Sequence, residues 1–202
     1  MDLSSPGSDL LGPHEAAALR VLAHQGHPLA GRDVARLAGS NPSSMRRALL
    51  RLERIGLVRS RESSHARLVE LQRDHVLWEP VRAILTTPNR VREAITDLVT
   101  ARLGRDTTAV VFGSVARGDS DGDSDVDLAL IVADGLTAEE SDSVVDDLTH
   151  LVESRTGNPA QVLVLTRSAL ARMVEAGDPL VQSWSNDAVT LTGPRLKDLL
   201  DR

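Results

Sequence analysis

The sequence predicts an α+β chain of two modules, and three observations carry that prediction. Helical periodicity dominates residues 13–55 and gives way to two short extended stretches. β-Branched, apolar stretches then flank a glycine- and aspartate-rich loop between residues 107 and 132. Charge, finally, segregates: residues 1–74 hold 11 arginines against 8 acids, and the rest of the chain holds 12 basic against 21 acidic groups, within a net charge of −6. At 202 residues the chain has room for two small domains.

Composition excludes several chemistries. With no cysteine there are no disulfides, thiolate zinc sites or cysteine nucleophiles, so any metal is held by oxygen or imidazole. The apolar runs, such as Leu128 to Ala133, fall far below the ~20 residues that span a bilayer. Residues 1–13 are polar and acidic, without the basic and apolar regions of a leader. These features lead to the expectation of a cytoplasmic protein with no membrane partner. The histidines are scattered: His24 and His27 flank Gly26, no metal-binding spacing recurs, and surface or structural roles are expected.

The elements follow in order. From Pro13, apolar Ala18, Leu19 and Leu22 recur at helical spacing until Gly26 breaks the run. Residues 31–38 make a short second helix closed by Gly39. Ser40-Asn41-Pro42 caps a third, over 42–55. On that helix Met45, Leu49 and Leu52 form a packing stripe, while Ser44, Arg47, Arg51 and Arg54 recur on another side. Leu50 lies off the packing stripe and is expected to be exposed. Gly56 ends the helix, Leu57-Val58 begins an extended segment, residues 59–65 are polar, and residues 66–71 alternate as a returning strand.

Three helices and a hairpin make a winged helix. The runs Leu29-Ala-Gly-Arg-Asp-Val-Ala-Arg-Leu-Ala-Gly39 and Ser43-Ser-Met-Arg-Arg-Ala-Leu-Leu-Arg-Leu-Glu-Arg-Ile-Gly-Leu-Val58 resemble the winged helix-turn-helix of bacterial transcriptional regulators. That resemblance implies a third helix lying in the major groove of double-stranded DNA. Ser43, Ser44, Arg46, Arg47 and Arg51 would sit near bases or phosphates, and Arg59 and Arg61 on the wing. Arginine suits both tasks, because its planar fork pairs with guanine edges and with phosphate. Winged helices also serve as dimerisation modules, and a solvated basic face is the plain alternative. A homodimer is expected if the module reads a palindrome. Three aromatic residues in the whole chain leave little for single-strand stacking.

Residues 74–85 read as a further helix able to dock on either module, Thr86 to Asn89 end it, and a capped helix follows over 89–103. The expected division is therefore a DNA-binding domain at 1–73, a helical connector at 74–89 and a second domain at 90–202.

In the second domain, the strand Thr107 to Phe112 runs into Gly113-Ser114 and then Val115-Ala-Arg117-Gly118 as a helical turn. Glycine lets a phosphate approach the backbone closely, and the following N–H groups and the Ser114 hydroxyl can donate to it, with Arg117 adding positive charge. An acidic loop, Asp119 to Ser124, leads to a strand whose Asp125 and Asp127 share one face. Their Cα atoms are then ~6.6 Å apart with both carboxylates on the same side. Carboxylates that close repel unless a cation compensates, and Mg²⁺, with its preference for oxygen ligands and phosphates, is the natural one.

Gly113-Ser-Val-Ala-Arg-Gly118, followed by Ser124-Asp-Val-Asp-Leu128, resembles the signature of the DNA polymerase beta-like nucleotidyltransferases in their minimal, kanamycin-type form. The resemblance implies a small mixed sheet with flanking helices. It also implies catalytic, metal-binding Asp125 and Asp127, with Gly113, Ser114, Arg117 and Ser124 holding an NTP, and Mg²⁺ as cofactor with Mn²⁺ as a substitute. Two such ions ~3.5–4 Å apart would clamp an in-line phosphoryl displacement. The acceptor would be a hydroxyl on a protein or small molecule. An antitoxin-like role beside a neighbouring toxin follows from family habit only.

The family pattern also implies a third carboxylate on a neighbouring strand. In Ala160-Gln-Val-Leu-Val-Leu-Thr166 that position aligns with Leu163, with Gln161 on the same face and no acid in the strand. Two functions are therefore expected from the residues. One is a Mg²⁺-dependent nucleotidyltransferase that completes its site with an acid of the 119–123 loop or with a substrate group. The other is a transcriptional regulator whose degenerate domain senses a nucleotide. Helices at 138–156, 168–175 and near Pro179, with a late strand at 188–192, complete the expected fold, and Asp146 and Asp147 are placed on the solvent side of the long helix.

Overall fold

The computed structural model describes residues 1–63 and 66–201. They form two compact units, one of the described residues between 4 and 87 together with Asp2, the other of residues 88–201 together with Met1 and Leu3. Ser64 and His65, in the polar segment expected at 59–65, lie outside the described residues.

In the first unit a single turn, α1 (Ser8–Leu11), precedes α2 (Pro13–Gln25), β1 (Leu29–Ala30), α3 (Gly31–Leu37) and α4 (Pro42–Arg54). β2 (Val58–Glu62) and β3 (Arg67–Leu71) form the hairpin, and β1 adds antiparallel to β3, giving the order β1-β3-β2. α4 starts where it does because Pro42 occupies its first turn and the Asn41 side chain accepts from the Ser43 N–H at 2.9 Å. Its buried stripe of Met45, Ala48, Leu49 and Leu52 packs with Leu19 and Leu22 of α2 and Val34 of α3. α5 (Trp78–Leu85) adds Trp78, Val81 and Leu85 to this same core. The stretch expected as a connector is thus divided: α5 completes the first core, residues 74–77 are turns, and the boundary falls at 87/88.

The second unit opens with α6 (Thr87–Leu103). β4 (Thr108–Phe112), α7 (Gly113–Arg117), β5 (Val126–Val132), α8 (Ala138–Thr156) and β6 (Ala160–Thr166) follow, then α9 (Arg167–Glu175), α10 (Pro179–Asp187), β7 (Val189–Thr192) and α11 (Leu196–Leu200). The sheet order is β6-β5-β4-β7, with β5 and β6 parallel and the other pairs antiparallel. A capping box starts α8: Thr137 Oγ1 accepts from the Glu140 N–H while the Glu140 carboxylate accepts from the Thr137 N–H.

Alternation along β5 separates two cores. Val126, Leu128, Leu130 and Val132 pack beneath α6 and α8, against Ile95, Val99, Leu148 and Val152. Ala129 and Ile131 face the other way, onto Leu170 of α9, Trp184 of α10 and Leu196 of α11. The sheet is therefore sandwiched between helices on both faces, and Asp127 belongs to the Ala129–Ile131 face, at the strand's entry end. Asp146 and Asp147 are both exposed on α8 as expected, and Asp147 pairs with Arg102 at 2.8 Å.

Leu148 is fully buried between α8 and the sheet. Truncation by Leu148→Ala is expected to cost about 2–5 kcal/mol, read as a lower midpoint in urea-induced unfolding.

Candidate functional site

Antiparallel pairing of β4 with β5 sets Phe112 opposite Asp127, so the Gly113 turn folds back over the carboxylate. Gly113 has φ of +69°, and a Cβ there would run into Asp127 Oδ2. Only glycine satisfies both the left-handed backbone and the close approach. The Ser114 hydroxyl has no protein partner among the described residues, and Ser114 is half-buried beside the carboxylate pair.

Asp127 sits partly out of water, and this raises its pKa above the ordinary carboxylate value. The Asp125 charge pushes it in the same direction, while Arg117 opposes. The structure therefore brings together Gly113, Ser114, Arg117, Asp125 and Asp127. Arg117 closes the turn with its Nε donating to Asp119 and its Nη1 to Asp187, each at 3.2 Å.

The parallel register pairs Asp127 with Gln161 and Ala129 with Leu163. Gln161, not Leu163, is thus the neighbouring-strand residue beside the carboxylate pair, and its Nε2 donates to Asp125 Oδ2 at 2.6 Å. Leu163 lies one step further into the apolar face, packed on the core that holds Trp184.

The loop does not supply the missing acid. Asp121 accepts from the Ser124 hydroxyl at 2.8 Å and from the Asp123 N–H at 3.1 Å, which holds its carboxyl below the usual range. Asp119 is spent on Arg117. The Ser124 hydroxyl, expected at the nucleotide, closes this turn instead. Its backbone carbonyl accepts from Asn158 Nδ2 at 2.9 Å, and Gly122 O accepts from the same amide at 3.2 Å. Asn158 is 1% exposed and is a functional residue the sequence reading missed, because a lone asparagine after α8 carries no local signal.

Among the described residues no three acidic or histidine side chains converge on one point. Asp125, Asp127 and the amide oxygen of Gln161, turned about its terminal bond, are hard oxygen donors. That set fits a single Mg²⁺ whose other ligands are phosphate oxygens and water, rather than two resident ions.

On the first unit, Arg46, Arg47, Arg59 and Arg61 are exposed, and Ser43 and Ser44 line the start of α4. Several are partly committed within the fold. Ser43 Oγ donates to Asn41 at 2.7 Å, and Arg47 Nη2 donates to Ser44 Oγ at 3.1 Å. Arg51, expected with them, is exposed as well but is also paired with Glu15, which is buried at the start of α2, so it ties α4 to α2. Leu50 is 41% exposed, as its position off the stripe requires. No helix among the described residues is long and apolar enough to cross a membrane.

Comparison with known proteins matches each unit separately. Residues 105–181 match the family model described as polymerase beta, nucleotidyltransferase, and residues 16–62 match that of the IclR helix-turn-helix domain. Two solved structures are similar over 54% of this chain and 78% of theirs. One is a toxin–antitoxin with AMP-PNP, at 19% identity and a TM-score of 0.39. The other is a mutant of the toxin–antitoxin MntA–HpeT, at 21% identity and a TM-score of 0.40. No curated protein matches the chain.

Because the folded state raises the Asp127 pKa, ionisation there costs stability above that pKa, and the cost disappears as the pH falls and the carboxyl protonates. Asp127→Asn is therefore expected to raise the melting temperature by about 1–2 °C at pH 7, with the gain vanishing below the ordinary carboxylate range. Differential scanning calorimetry from pH 3 to 8 measures it, and a variant that melts lower at pH 7 contradicts the electrostatic account.

Proposed function

We propose that this chain, a helix-turn-helix DNA-binding module joined to a nucleotidyltransferase-like domain, is a DNA-binding regulator whose second domain binds a Mg²⁺–NTP complex, nucleotide occupancy altering its affinity for DNA. The observation that carries this reading is the Gln161 amide at the place where a third carboxylate would be needed. An amide keeps the shape of a carboxylate but accepts no proton from an attacking hydroxyl, so the site is equipped to bind and lacks a base.

The chain's own residues account for binding. Gly113 lets the turn lie directly against the Asp127 carboxylate, the Ser114 hydroxyl beside it is available to donate to a phosphate, and the Arg117 guanidinium supplies positive charge in an otherwise acidic pocket. Asp125 and Asp127 would hold the cation, with the Gln161 carbonyl as a neutral ligand. Bound there, Mg²⁺ would neutralise phosphate charge that the two aspartates would otherwise repel. In the first unit the exposed arginines of α4 and β2 would contact duplex DNA.

Transfer of the nucleoside monophosphate to a protein or small-molecule hydroxyl is the second reading. The intact Gly113-Ser114 turn and the Asp125–Asp127 pair favour it.

Calorimetric titration of each Mg²⁺–NTP into wild type and Asp125→Asn is the first test, and it is expected to show metal-dependent binding that the variant loses. DNA affinity should differ severalfold between nucleotide-loaded and free protein, and equal affinities would refute the sensing role. α-Labelled NTP should leave no label on protein or small-molecule acceptors with wild type, while Gln161→Glu is expected to gain a low rate. Efficient labelling by wild type would instead establish the transferase.

DNA binding has its own signature. Arg47→Ala is expected to weaken duplex binding and to lower the slope of log K against log salt by about one, if that side chain holds a phosphate. Fluorescence anisotropy at several salt concentrations measures both.

A further inference from the structure

The end of α10 meets the glycine turn through two contacts that the motif gave no reason to expect. Asp187, the last residue of α10, accepts from Arg117 Nη1, 70 positions away in sequence. One turn earlier on α10, the Trp184 ring packs against Phe112, centroids 5.3 Å apart and inclined by 54°. Phe112 and Arg117 bracket the Gly113-Ser114 turn, so α10 grips that turn at both ends.

We propose that Asp187 is a positioning residue for Arg117, fixing the guanidinium so that its remaining donors face the phosphates of the bound nucleotide. The proposal rests on the nucleotide reading above and adds to it a carboxylate that lies outside the recognisable motif.

The donor arithmetic of arginine supports it. Of the five N–H donors in a guanidinium, Arg117 gives Nε–H to Asp119 and one Nη1–H to Asp187. Nη2 makes no hydrogen bond among the described residues and remains free to donate. Two anchors at different nitrogens fix the plane of the group, which one surface carboxylate does not. The anchors differ in kind. Asp119 is exposed in the loop, whereas the Asp187 side chain is only 13% exposed and is carried by a helix packed on the core through Trp184. Asp187 is therefore the rigid member of the pair, and its pairing with Arg117 is screened least by solvent.

Among the described residues Asp187 Oδ1 is buried with no partner, and so is the Trp184 indole N–H. A carboxylate half-orphaned in this way is a costly arrangement for a purely structural ion pair. Holding Arg117 at the phosphate site gives that cost a function.

The test uses the full chain. Affinity for Mg²⁺–ATP is measured by calorimetry in wild type, Asp187→Ala, Asp187→Asn, Arg117→Ala and the Arg117→Ala/Asp187→Ala double variant. Asp187→Ala is expected to weaken binding about five- to tenfold. Asp187→Asn, which keeps an acceptor in place, is expected to lose no more than about threefold. In the Arg117→Ala background the Asp187 substitution should have no further effect, because its influence passes through Arg117. Unchanged or tighter binding in Asp187→Ala, or an undiminished effect in the double variant, overturns the proposal.

A second readout needs no ligand. The Arg117 Nε–H resonance should show an ordered side chain in wild-type NMR relaxation and a mobile one in Asp187→Ala, and equal mobility in both overturns the proposal. Should wild type bind no nucleotide while this mobility difference holds, the nucleotide reading fails but the Asp187–Arg117 anchor stands.

Discussion

Strand β5 carries two incompatible demands, and the rest of the second unit is arranged around satisfying both. It pairs on both edges, with β4 on one side and β6 on the other, so neither edge meets water and nearly all its side chains are buried. An interior strand of this kind is expected to be apolar throughout, yet Asp125 and Asp127 occupy its entry. The compromise is positional. The acids sit at the end of the strand where the sheet face is still open, and Ala129 and Ile131 take over on the same face as soon as α9, α10 and α11 close it. Everything chemical about the unit happens within that short open length: the glycine turn after β4, the acidic loop before β5 and the first residues of β6.

Local chemistry explains why much of this was legible. Period-two alternation in β5, the break at Gly113 and the acidic loop are all properties of consecutive residues. The same holds for α4, whose buried stripe and exposed basic side appear in thirteen consecutive positions directly after the cap Asn41. What remained hidden depends on distance along the chain. The register of β6 on β5, which no pattern inside either strand encodes, sets Gln161 rather than Leu163 opposite Asp127. Arg51 looked like its neighbours Arg46 and Arg47 because its partner, Glu15, lies on another helix. Asp187 was invisible for the same reason. Residues 74–85 carried an apolar helical stripe able to dock on either side, and only the packing of Trp78, Val81 and Leu85 decided the matter.

The acidic loop shows how the same residue type can be functional in one place and structural in the next. Four aspartates precede Asp127 within nine positions, a density that would be self-repelling if all of them faced one site. Asp121 instead turns inward onto Ser124, Asp119 is neutralised by Arg117, and buried Asn158 ties down the carbonyls of Gly122 and Ser124. The loop is thus a rigid lead-in to Asp125 rather than a reservoir of spare ligands. Asp125 and Asp127 are the two carboxylates that the strand itself places on the open sheet face.

Gln161 then bears on stability as well as on chemistry. A third acid at this register position would place another negative charge against Asp125 and raise further the pKa of Asp127, already elevated by desolvation and by its neighbour. The amide avoids that repulsion and donates a hydrogen bond to Asp125. The glycine, the Ser114 hydroxyl, the anchored arginine and two carboxylates thus stand together in a cleft whose electrostatic strain is partly relieved by an uncharged neighbour on β6.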